Sequence, residues 1–140
     1  MSQLFPAGAN NCDKFGCQTR DVLTIGNIVL GVDDFSRALA FWTGALGYVL
    51  RDGEHDGRFA VLVPADGGPG ALLALMVNDT PPEPRPRVHL DLYADDQQAE
   101  IERLVGLGAS EVDWDLYPED ADFVVLADPE GNRFCVVDRS

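Results

Sequence analysis

One passage of this chain is written twice, and that duplication limits the fold more than any other feature. Asn27-Ile28-Val29-Leu30-Gly31-Val32-Asp33-Asp34 returns 62 residues later as His89-Leu90-Asp91-Leu92-Tyr93-Ala94-Asp95-Asp96. Each copy continues through a helical stretch to a Leu-Gly pair, Leu46-Gly47 and Leu107-Gly108. Self-similarity at so long a period marks a repeated structural unit, and two sheet-forming units can enclose one pocket. The copies differ where chemistry could sit, with Asn27 in one and His89 in the other.

Hydrophobic periodicity and turn residues give each copy the plan β-α-β-β-β. The first opens with a strand near Leu23 to Val32, followed by Asp33 or Asp34 as a helix cap. Ala38, Leu39, Phe41, Trp42, Ala45 and Leu46 form one apolar helical stripe, and Gly47 suits the left-handed position that ends it. Strands are expected around Tyr48 to Arg51, Arg58 to Val63 and Ala71 to Val77. The second copy predicts a strand from Arg87 to Tyr93 and a helix start at Asp95 with Gln98. The buried side of that helix is assigned to Ile101, Leu104, Val105 and Leu107. Strands near Glu111 to Asp115, Phe123 to Ala127 and Arg133 to Asp138 complete it. Asp128-Pro129-Glu130-Gly131-Asn132 is a hairpin turn in which Gly131 takes the left-handed angle.

Residues 1–21 read as an N-terminal extension and 22–139 as a single domain. Within it, module one covers 22–78, a Pro-rich linker 79–86, and module two 87–139. At 140 residues and 46% hydrophobic content the chain is long and apolar enough for one sizeable core. The start lacks the basic and long apolar regions of a secretory signal, so the expected location is cytoplasmic. The longest apolar run, Ala71 to Val77, is too short to span a bilayer, so no membrane association is expected. A net charge of -14 argues against nucleic acid, because phosphate binding needs a basic surface. Cys12, Cys17 and Cys135 do not form a disulfide framework in such a chain, and a lone C-x4-C at Cys12 and Cys17 does not predict zinc.

The repeat, the Phe41-Trp42…Leu46-Gly47 helix, the Val88-His89-Leu90-Asp91-Leu92 strand and the Asp128 to Asn132 hairpin resemble the glyoxalase/bleomycin-resistance/dioxygenase group, the vicinal-oxygen-chelate superfamily. The resemblance covers about residues 22 to 139. It implies an α+β fold of two tandem βαβββ modules whose curved mixed sheets form a cup, and a homodimer. It also implies a small-molecule ligand held in that cup, including a sequestered toxic or antibiotic compound; a lyase or isomerase of the glyoxalase type is the alternative.

Metal-using relatives take ligands from the first and last strands of both modules. The corresponding positions are Asn27, Leu73 or Ala74, His89 and Cys135, and only His89 is a routine ligand for a divalent ion. No metal cofactor is therefore expected, with His89 the ligand if a divalent ion does bind. Strand alternation places Val88, Leu90 and Leu92 on a helix-facing side and Arg87, His89, Asp91 and Tyr93 on the other. His89 and Asp91 are the candidate catalytic pair, an imidazole base with a carboxylate beside it. Asn27, Arg87, Tyr93, Trp114 and Cys135 are the candidate ligand-binding residues, with Tyr117 a further aromatic wall. Trp42 is assigned to the core and His55 to a loop.

Overall fold

A computed structural model of the chain describes residues 22–140, so the expected extension and the Cys12/Cys17 pair lie outside the described residues. The described elements follow the order that the repeat predicts. Module one contains β1 (Ile28–Val32), α1 (Phe35–Leu46), β2 (Tyr48–Leu50), β3 (Phe59–Pro64) and β4 (Leu73–Val77). Module two contains β5 (Asp91–Ala94), α2 (Gln97–Leu107), β6 (Ser110–Glu111), β7 (Phe123–Ala127) and β8 (Arg133–Asp138). Each module builds one open mixed sheet, β1-β4-β3-β2 and β5-β8-β7-β6. In both sheets the first strand runs parallel to the last, and the remaining pairs are antiparallel.

The helices start and stop where polar groups can satisfy their loose ends. Asp34 caps α1 by accepting the Arg37 N–H at 3.1 Å, and Gly47, at φ 68°, closes it with its N–H on the Thr43 carbonyl. Phe35, Ala38, Phe41, Trp42 and Ala45 form the buried side of α1. Phe41 and Trp42 reach the second module, where Phe134 of β8 lies 6.2 and 5.4 Å from their ring centroids. The buried residues of both modules thus join in a single hydrophobic core.

The ends of α1 are completed from the other module. The helix has no acidic residue in its own first turn and no basic residue in its last. Glu130, in the β7–β8 turn, accepts the Asp33 and Asp34 N–H groups and pairs with the Arg37 guanidinium at 2.7 Å. At the opposite end Arg103 of α2 donates to the Gly44 and Ala45 carbonyls at 3.0 and 2.9 Å. An anion at the N-terminus and a cation at the C-terminus both oppose the helix dipole favourably.

Several boundaries differ from the sequence reading, each for want of a partner. β1 begins at Ile28 rather than Leu23, since its neighbour β4 begins at Leu73, the residue paired with Ile28. β5 begins at Asp91, and Val88 is 79% exposed instead of packing against a helix. β6 stops at Glu111; beyond it the Val125 N–H bonds the Tyr117 hydroxyl at 2.9 Å instead of a strand. The α2 cap is Asp96, which accepts the Ala99 N–H, while Gln98 bonds Glu102. Only Ile101 and Leu104 of the expected α2 stripe are buried, and Val105 and Leu107 remain exposed at its margin.

Candidate functional site

Strand register shows how the two modules diverge. Val29 pairs with Ala74 in the first sheet, and Asp91 with Cys135 in the second. Gly31 pairs with Met76, and Tyr93 with Val137. Phe59 and Phe123, and likewise Val61 and Val125, occupy matching places on the third strands. On the side turned away from the helices, the first sheet therefore presents only apolar residues and glycine. The same positions in the second sheet carry Asp91, Tyr93 and Cys135.

That side of the second sheet is the floor of a concavity of about 600 Å³. Asp91, Tyr93, Phe123, Val125, Cys135 and Val137 come from the three longer strands, with His89 just before β5. Trp114, Leu116 and Asp122, from the β6–β7 connection, form one wall, and Arg85 and Pro86 of the linker another. The walls are joined at their rim. The Arg85 guanidinium lies 5.6 Å from the Trp114 ring centre and bonds Asp115 at 2.8 Å, which also holds the Asp115 carboxyl below its ordinary range. The first sheet contributes nothing to the lining of this concavity, which is built by module two and the linker. A narrower cavity of about 170 Å³ lies beside it between Ile28, Val29, Leu90 and Phe134, and His89 borders both.

At the floor, His89 Nε2 is 3.1 Å from Asp91 Oδ1. The donor atoms of His89, Asp91 and Cys135 all lie within 4.8 Å of one another. Residues 89 and 91 share a face through strand alternation, and Cys135 is brought opposite Asp91 by the ladder, its N–H bonding the Leu90 carbonyl at 2.9 Å. Burial, and then the neighbouring Asp91 carboxylate, push the Cys135 thiol up to about 11, so it is protonated at neutral pH and is no ready nucleophile.

The other residues singled out in the sequence lie elsewhere. Asn27 and Arg87 are exposed and outside the described lining. Tyr117 is not a pocket wall; it stacks on Phe123 and completes the β7 ladder. His55 lies in a loop against Phe35 and accepts the Gly57 N–H. Trp42 is buried, and its Nε1–H donates to Asp128 at 3.0 Å. Asp128 is 2% exposed, and burial raises its carboxyl despite bonds from Trp42, Asn132 and Glu130. Sequence reading missed Asp128 and Arg85. A core tryptophan needs an acceptor for its N–H but does not say which residue supplies it, and nothing in the linker distinguished Arg85 from Arg87.

The ligand set implied by metal-using relatives does not fit this chain. Asn27 is outside the pocket, and Leu73 and Ala74 are buried aliphatic residues without donor atoms. The donors that do converge belong to module two alone. Among the described residues no helix is long and apolar enough to cross a membrane.

Comparison with curated proteins gives no match. Solved structures do resemble the chain in fold. A gene product of Arabidopsis thaliana is 19% identical, with 84% of this chain and 100% of that one covered at a TM-score of 0.66. A glyoxalase-related enzyme from Fulvimarina pelagi is 17% identical, with coverage of 84% and 89% and a TM-score of 0.63. A variant of the fosfomycin resistance protein of Listeria monocytogenes, complexed with Mn(II) and dihydroxypropylphosphonic acid, is 16% identical. It covers 85% of this chain and 92% of its own, at a TM-score of 0.66. The profile of the glyoxalase-like domain matches residues 27–137, and with the duplicated βαβββ architecture this places the chain in the glyoxalase-like domain family.

Proposed function

We propose that this protein captures a planar, basic organic molecule in the concavity of module two. The observation that carries the reading is the lining itself. Trp114 and Phe123 provide aromatic surface beside the carboxylates of Asp91 and Asp122, while Arg85 is held by Asp115 and the Tyr93 ring is already covered by the Arg139 guanidinium, 4.3 Å from its centre. Aromatic faces beside carboxylates favour a flat cation over a neutral or anionic ligand of the same shape. The chain's charge of -14 adds long-range attraction. Sequestration of a toxic or antibiotic compound in the cytoplasm is the role that follows. A homodimer belongs to the same reading, because Val29, Val49, Phe59 and Met76 leave exposed apolar surface on the first sheet.

The test is a titration of the full chain, freed of metal by chelation, with cationic aminoacridine and with neutral acridine, followed by tryptophan fluorescence and thermal shift. Aminoacridine is expected to bind the more tightly, and Trp114→Ala to weaken it by about tenfold, equivalent to about 1.4 kcal/mol. Equal affinity for both compounds, or binding unchanged by Trp114→Ala, refutes the reading.

A second reading is favoured by the His89–Asp91 contact of 3.1 Å. A carboxylate on one imidazole nitrogen fixes the ring and leaves the other to take a proton from a bound substrate. This would serve a lyase or isomerase of the glyoxalase type.

A further inference from the structure

We infer that His89, Asp91 and Cys135 form a three-ligand site for a thiophilic divalent ion of the zinc class, built within module two alone. The inference rests on the same concavity as the reading above but requires no organic ligand. It departs from the two-module ligand set of metal-using relatives in two ways: Asp91 supplies a donor, and module one supplies none.

The geometry suits such an ion. In a tetrahedral zinc site, bonds of about 2.0 to 2.3 Å place donor atoms roughly 3.5 Å apart. The His89–Asp91 edge is 3.1 Å, and no donor pair of the trio exceeds 4.8 Å, close to that spacing. Asp91 and Cys135 are held by the β5–β8 ladder, with His89 two residues before its start, and donors mounted on a sheet are held in place better than donors on mobile segments.

The chemistry of the donors selects the ion. One imidazole, one carboxylate and one thiolate match zinc, whereas magnesium, calcium and manganese prefer all-oxygen shells. The thiol proton passes to the buffer as sulfur coordinates. Two anionic ligands then offset the two positive charges, leaving the pocket floor neutral and Asp122 as the carboxylate facing a ligand. With three protein ligands the fourth position opens to the cavity of about 600 Å³, where water or a ligand atom can enter.

The experiment loads the chelated full-length protein with zinc, then separately with cobalt(II) as a spectroscopic substitute. One zinc per chain is expected, resisting a large excess of magnesium or manganese. Cobalt should give a thiolate-to-metal charge-transfer band that disappears in Cys135→Ser and persists in a Cys12→Ser/Cys17→Ser variant. Asp91→Asn, at an exposed position, should weaken zinc by more than about tenfold, as loss of one of three protein ligands requires. Substoichiometric zinc, a cobalt band that survives Cys135→Ser, or unchanged affinity in Asp91→Asn overturns the inference. Aminoacridine binding to the metal-free protein is scored separately, so failure of the metal site is distinguishable from failure of the proposed function.

Discussion

Replacing Glu130 by alanine removes the acceptor that completes the start of α1. The Glu130 side chain is only 4% exposed and accepts two backbone N–H groups as well as the Arg37 guanidinium. Two bonds from backbone N–H groups to a covered carboxylate, once lost, cost about 3 kcal/mol together. The Arg37 pair adds little, because the guanidinium is half exposed and can turn to water. For a domain of this size a loss of that order is a large part of total stability and lowers the melting temperature by roughly 10 °C. Urea unfolding followed by circular dichroism measures it, with Arg37→Ala as the control, expected within about 1 kcal/mol of the parent. The pH dependence is a second check. Burial alone would raise the Glu130 carboxyl, but the Asp33 N–H, Arg37 and the Asp34 N–H outweigh it, and the net shift is downward. A depressed folded value means the stabilisation is complete above the unfolded value of about 4.3 and is lost as pH falls through the folded one. The difference between parent and Glu130→Gln should therefore shrink on acidification. The reasoning fails if Glu130→Ala costs no more than Arg37→Ala, or if the Glu130→Gln difference is constant with pH.

Trp42→Phe keeps an aromatic ring in the core but removes the donor to the buried Asp128; a loss of about 2 kcal/mol is expected in the same unfolding assay. Gly131→Ala forces a side chain onto a backbone at φ 92°, with Pro82 of the linker against it, and should cost about 1–3 kcal/mol by thermal denaturation.

The architecture was legible because the features that specify it are local. Capping by Asp34, the 3.6-residue stripe through Ala38, Phe41 and Trp42, and the left-handed angles at Gly47 and Gly131 depend on neighbours in sequence. Strand ends were misread because they depend on which residues find a partner: Leu23 and Arg87 have strand-like neighbours but no ladder. The candidate site was legible in part. Alternation put His89, Asp91 and Tyr93 on one face, and the lining includes all three. That Cys135 stands opposite Asp91 is a matter of β5–β8 register, which no single strand encodes. Arg85 and Asp128 act through contacts 30 and 86 residues away along the chain, with Asp115 and Trp42 respectively.

The capping of α1 by Glu130 and Arg103 has a consequence for how such a duplicated chain can change. Each repeat resembles a separable unit, yet the first helix, capped by its own Asp34 and Gly47, takes the charged groups at both of its ends from the second repeat. Cutting the chain in the linker would take Glu130 and Arg103 away from α1 and divide the shared core, so the two halves are expected to unfold together in one transition. Exchanging the second repeat for one from another protein would require the newcomer to bring an acid and an arginine to the same two places. Drift of the pocket-facing positions carries no such requirement, which leaves the second sheet free to acquire new chemistry while the frame stays fixed.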